Sequence, residues 1–270
     1  HIDAGYYGVY LNAYGNDRAT LNVHDNTFNV RGVQASLNST LIGSIVISNN
    51  TFTDIDGRAI YGDLDFDGNT SASLSLDISG NTITNPTHNG IYCSIFVSDS
   101  EVAGYASVSI EGNTISGAEK NGIEVDFQIY SSSNEFAADV TIANNTVSDS
   151  NSDGISATAD VGYFSNSIAY NLTIDSNTVS DSGGDGIFIH ASNSDEATVN
   201  YEFNITNNTV MGSDGDGIQG LLSLDRAEQA FMSVDMTISG NTLDCNGRNG
   251  LDLYFSDSSG GNQSGQEWNV

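Results

Sequence analysis

Val140-Thr141-Ile142-Ala143-Asn144-Asn145-Thr146-Val147 is matched one unit earlier by Val108-Ser109-Ile110-Glu111-Gly112-Asn113-Thr114-Ile115. The shared phrase, Asn-Thr followed by an apolar residue, stands at Asn26, Asn50, Asn81, Asn113, Asn145, Asn177, Asn208 and Asn241. Successive intervals are 24, 31, 32, 32, 32, 31 and 33 residues. Recurrence this regular marks a repeat protein, in which each unit buries its apolar face by stacking on the next.

From Asn81 onward each unit carries two apolar segments. One runs into Asn-Thr; the other opens with Gly-Ile at Gly90, Gly122, Gly154, Gly186 and Gly217, and with Gly-Leu at Gly250. Ile123, Val125, Phe127 and Ile129 alternate with polar residues, which is the strand period. Clusters of Ser, Asn, Asp and Gly between the segments predict turns, and no segment calls for a helix. Like strands at a fixed interval pair with their counterparts one unit above and below, so the pattern predicts parallel sheets wrapped around an elongated core. The strict six-residue period of a left-handed hexapeptide solenoid is absent, and a propeller leaves the Asn-Thr phrase without a role.

The strings ISGNTI, IEGNTI, IANNTV and IDSNTV, each followed by NGI or DGI, resemble the right-handed parallel β-helix repeat family of secreted bacterial and archaeal surface proteins, the pectate-lyase-like superfold. The resemblance implies an all-β, right-handed solenoid of about eight or more rungs of roughly 24–33 residues, with residues 1–270 as a single domain. It also implies that the eight Asn form an internal ladder. An amide has both donors and an acceptor, so stacked amides satisfy one another where water cannot reach. Family members include lyases, hydrolases, tailspikes and adhesins, so the fold alone carries little function.

With 35 acidic against 6 basic residues and a formal charge of −29, the surface repels nucleic acid and anionic lipid. It suits a saline or calcium-rich exterior, which predicts an extracellular or cell-surface location. No apolar run approaches the roughly 18 residues of a membrane span. The opening at His1 and strand-like sequence from Tyr7, without a capping helix, predict an excerpt of a longer protein or a stacking subunit. Cys93 and Cys245 fall five repeats apart, roughly 24 Å at strand spacing, too far for a disulfide.

The outward residues of the Gly-Ile strands differ from rung to rung and form the candidate face: Tyr61, Tyr92, Phe96, Glu124, Asp126, Phe188 and His190. Aromatics interleaved with carboxylates suit sugar rings and their hydroxyls. Asp126 and Asp160 fall roughly 8 Å apart on the diagonal, within the range of an inverting glycosidase pair. The chain lacks the Asn-Thr-Asp, Asp-Asp and His-Gly set of polygalacturonases and an Asp-Pro-His epimerase signature, and no Arg or Lys is expected on the face. Asp63, Asp65 and Asp67 open a D-x-D-x-D-G calcium-loop pattern whose twelfth position falls on Leu74. Asp153, Asp185 and Asp216 stack in the column preceding Gly and form a second calcium candidate. The Thr column beside the ladder makes a T-x-[ST] array.

The expected function is an extracellular structural or adhesive module that binds polysaccharide or cell-surface glycan on the Gly-Ile face and self-associates through its terminal rungs. Neither nucleic acid nor membrane is an expected partner. The competing readings are a polysaccharide-active enzyme using Asp126 and Asp160, and a calcium-stabilised or ice-binding solenoid.

Overall fold

The computed structural model describes residues 7–15, 18–67, 71–98, 103–130, 135–162, 167–194, 197–224, 231–257 and 265–269. Among them every regular element is a strand, and no helix is long and apolar enough to cross a membrane. The strands form three sheets in which all described neighbours are parallel. The Gly-Ile sheet has nine strands, from Val9–Tyr14 to Leu251–Asp257. A second sheet of nine runs from Arg18–His24 to Gly265–Asn269, and an Asn-Thr sheet of eight runs from Thr27–Asn29 to Thr242–Asp244. This is a parallel β-helix, and its rung-to-rung register follows the repeat: Ile91 pairs with Ile123, Ile123 with Ile155, and Asn-Thr strands pair Thr to Thr.

Each unit holds three strands, whereas the alternation pattern distinguishes only two. The long segment breaks in two, as in Gly104–Glu111 and Thr114–Ser116. The break lies at the residue before the ladder Asn, which takes a left-handed backbone at every rung: Asp25, Asn49, Gly80, Gly112, Asn144, Ser176, Asn207 and Gly240, with φ between 55° and 68°. A second left-handed column closes the short strand four residues after each ladder Asn: Val30, Asp54, Asn85, Gly117, Asp149, Asp181, Gly212 and Cys245. Gly, Asn and Asp are the residues that tolerate this region, because larger side chains bring Cβ against the carbonyl. Val30 at φ 81°, Ser176 at φ 56° and Cys245 at φ 55° are the departures.

Inside the corners lie stacked Ile, Val and Leu, with an aromatic row from Phe66 through Phe136, Phe127 and Tyr170 to Tyr201 and Phe203. Cys93 is fully buried among them as a small apolar residue and Cys245 is exposed; both are free. Leu251 departs from the inward pattern at 42% exposed. Its strand has a described neighbour on one side only.

The Asn ladder is present. Asn113 donates its backbone N–H and its Nδ2 to Asn145 Oδ1 at 2.9 and 3.0 Å, and also donates Nδ2 to Ile78 O at 2.9 Å. The same connections repeat from Asn50 to Asn208.

One buried column is poorly satisfied. Ser150, Ser182 and Ser213 are at most 2% exposed, and their hydroxyls have no partner among the described residues. Ala118, one rung earlier in the same column, is fully buried. Because a buried hydroxyl without a hydrogen bond costs about 1–3 kcal/mol, Ser182→Ala is expected to raise stability by about 1 kcal/mol. A denaturation midpoint that falls instead would show that the hydroxyl is paired.

Candidate functional site

The Gly-Ile sheet turns its even positions outward in three columns. The first runs Gln34, Tyr61, Tyr92, Glu124, Ser156, Phe188 and Gln219; the second Ser36, Asp63, Ser94, Asp126, Thr158, His190 and Leu221; the third Asn38, Asp65, Phe96, Gln128, Asp160, Ser192 and Ser223. Most of these side chains are half-buried by one another, and Ser156 is only 4% exposed. The predicted residues therefore share a face, but not all meet. Tyr61 and Tyr92 pack with ring centroids 5.3 Å apart. Phe96 packs on Tyr130, 5.7 Å away. Phe188 is separated from Tyr92 by the rungs of Glu124 and Ser156.

The carboxylates of Asp126, Glu124 and Asp160 are tied down. Asp126 accepts from Thr158 Oγ1 at 2.8 Å, Gln128 Nε2 at 2.7 Å and Tyr92 Oη at 3.3 Å. Glu124 accepts from Asn89 and Asn121. Asp160 accepts from Ser192 at 2.7 Å and lies 3.5 Å from His190 Nδ1. Asp126 pairs with Thr158, two positions from Asp160 on the next strand, so the two acids keep the diagonal relation read from the repeat.

Asp63 and Asp65 point outward while Leu64 and Phe66 are buried, and Asp67 lies exposed just past the strand; Gly68 of the calcium-loop pattern is outside the described residues. Burial raises Asp63, and burial followed by the charges of Asp63 and Asp67 lifts Asp65 to about 6. Among the described residues no group of three or more His, Cys, Asp or Glu is arranged to hold a metal ion.

The column before Gly is more than a row of turns. Asp153 N–H donates to Asn121 Oδ1 at 2.9 Å, Asp185 N–H to Asp153 Oδ1 at 2.9 Å, Asp216 N–H to Asp185 Oδ1 at 2.7 Å, and Asn249 N–H to Asp216 Oδ1 at 2.6 Å. It is a second ladder, and it runs opposite to the first: here the backbone reaches back to the preceding rung. Stacked carboxylates are tolerated because each accepts a backbone donor, at the cost of burial, which lifts the Asp153 carboxyl to about 6 and also raises Asp185. The glycine that follows is forced by contact, since a Cβ on Gly154 would lie 2.2 Å from Val179 Cγ1.

The expected absence of basic residues on this face is overturned. The Arg58 guanidinium lies 4.0 Å from the Tyr92 ring centroid and 5.2 Å from that of Tyr61. Arg58-Ala59-Ile60 and Arg31-Gly32-Val33 are the same three-residue register as Asn89-Gly90-Ile91, because Val33 N–H bonds Ala59 O and Ile60 N–H bonds Gly90 O. Aligning on the apolar residue rather than on Gly would have placed Arg58 beside the tyrosines.

On the Asn-Thr sheet the threonines stack in one exposed column, flanked by Thr84, Ser116, Ser148 and Ser180, and the array ends in Met211 and Asp244.

No family model matches the chain, and no curated protein matches it. Among solved structures it is similar to the Dettilon tailspike protein at 13% identity and a TM-score of 0.28, over 90% of this chain. The chain spans 61% of the length of that protein.

Proposed function

We propose that this chain is an extracellular structural or adhesive module that binds glycan along its Gly-Ile face. The observation that carries the reading is the packed pair of Tyr61 and Tyr92 on an outer face whose adjacent rows offer Asp63, Ser94, Asp126 and Thr158. Half-buried rings give a pyranose apolar contact, and fixed carboxylates and hydroxyls accept and donate around its rim. The pre-formed hydrogen bonds support binding without a large ordering cost.

Tyr92→Ala is expected to weaken binding of soluble polysaccharide at least tenfold, measured by affinity electrophoresis against a panel of neutral and acidic glycans. Unchanged retardation of every glycan that binds would remove the face from the reading. Asp126 is engaged by three donors of its own surroundings, which suits a fixed acceptor better than a general acid or base. The same panel is therefore expected to release no reducing ends. Release that Asp126→Asn abolishes would replace the module by a polysaccharide-active enzyme.

A further inference from the structure

Arg31 and Arg58 occupy the places that Asx residues hold farther along the second ladder, and they use their charges differently. Arg31 is spent on Asp56, with its Nη1 2.8 Å from the carboxylate and 3.0 Å from the carbonyl oxygen. Arg58 makes no ion pair and no hydrogen bond among the described residues; its guanidinium is held against Tyr92 and Tyr61. In a chain with 35 acidic and 6 basic side chains, a guanidinium left without a carboxylate stands out. Stacking orients the plane while leaving the edge, with its N–H donors, to something else.

A concave pocket of about 350 Å³ opens beside it, lined in part by Tyr7, Gln34, Asp56, Arg58, Tyr61 and His88. That volume lies in the range of small-ligand sites. Gln34 Oε1, behind its wall, is buried and has no hydrogen-bond partner among the described residues. The Tyr61 hydroxyl, pushed up to about 12 by burial and then by Asp63, remains a donor at neutral pH. The carboxylate of Asp56, which also lines the pocket, is paired with Arg31, which offsets its repulsion.

We propose that this pocket is a subsite for the charged group of an acidic sugar, with Arg58 taking a carboxylate or a sulfate ester through two N–H donors while Tyr61 addresses a neighbouring hydroxyl. The inference rests on the glycan-binding reading of the Gly-Ile face and adds the ligand class. A guanidinium fork matches such oxyanions in a way an ammonium does not. The net charge of −29 opposes an anion at long range. At about 1 M salt, however, the Debye length falls to roughly 3 Å and contact decides.

The test is calorimetric titration of the full chain at about 1 M NaCl with three hexasaccharides: oligogalacturonate, sulfated κ-carrageenan and an uncharged galactan. Binding of at least one anionic hexamer more tightly than galactan is expected, and Arg58→Gln should cost that hexamer at least tenfold while leaving galactan unchanged. Arg58→Lys should recover only part of the loss. The anionic hexamer that responds separates carboxylate from sulfate. Equal affinity for anionic and neutral hexamers, or an Arg58→Gln protein that keeps the preference, overturns the subsite and leaves the glycan-binding face standing. Equal loss for all three assigns Arg58 to packing of the tyrosines and overturns it too. Failure of every hexamer to bind sinks both readings together.

Discussion

Asn145→Ala is expected to destabilise the protein by about 4 kcal/mol. The side chain is 1% exposed and makes four hydrogen bonds: its Oδ1 accepts the Asn113 N–H at 2.9 Å and Asn113 Nδ2 at 3.0 Å, and its Nδ2 donates to Ile110 O at 2.8 Å and Asn177 Oδ1 at 3.0 Å. Two of the four partners keep other bonds after truncation. Asn113 Nδ2 still reaches Ile78 O, and Asn177 Oδ1 still accepts the Asn145 backbone N–H. The Asn113 N–H is left without an acceptor and Ile110 O loses its side-chain donor, at about 1–3 kcal/mol for each buried group. The vacated amide adds a void that a close-packed corner cannot collapse around. In a stack where each rung touches only its neighbours, such damage sits at one interface, so denaturation should broaden or split as well as shift. Asn26→Ala, at the first described place of the ladder and largely exposed, should cost under about 1 kcal/mol. Equal small losses at Asn145 and Asn26 would show that the ladder is ornamental to stability.

Asp153→Asn should act in the opposite direction and only at neutral pH. The carboxyl is lifted from 3.8 to about 6, first by burial and then by Asp185 and Glu124. Because the folded value lies above the unfolded one, the folded state binds more protons between about pH 4 and pH 6, and stability falls as pH rises through that window. An amide in this place keeps the acceptor for the Asp185 N–H, as Asn121 already does for Asp153, and has nothing to ionise. The variant is therefore expected to match the parent below about pH 4 and to exceed it by about 2 kcal/mol at pH 7, a figure reduced from the full shift for partial solvent screening. Adding Asp185→Asn should extend the gain by less than the sum, since the Asp185 charge is one of the causes that raise Asp153. A stability difference that does not change with pH would remove the ionisation argument.

Much of the architecture was readable in advance because a solenoid writes its period into the chain. The Asn-Thr phrase gives the rung length, and the alternation after Gly-Ile gives one sheet and its inward side. The third sheet was not readable, because its three-residue strands are too short to show a period. What marks them is the pair of left-handed corners around each, carried by Asp, Asn, Ser and Gly in an already Asx-rich chain. The candidate face was legible as columns, since register follows from repetition. Its chemistry was less so: Arg58 was hidden by Ala59, which stands where other rungs have Gly, and Tyr130 lies just beyond the strand that carries Asp126.

The two ladders have a consequence for growth. A helix aligns its peptide dipoles, so charge accumulates at its ends as it lengthens. Here the N–H groups of the Asn ladder point toward later rungs and those of the second ladder toward earlier ones. Their polarities oppose, and parallel strands add little of their own. From Asn121 to Asn249, where both ladders run, each rung adds its contacts while the N–H groups of the two ladders offset one another along the axis.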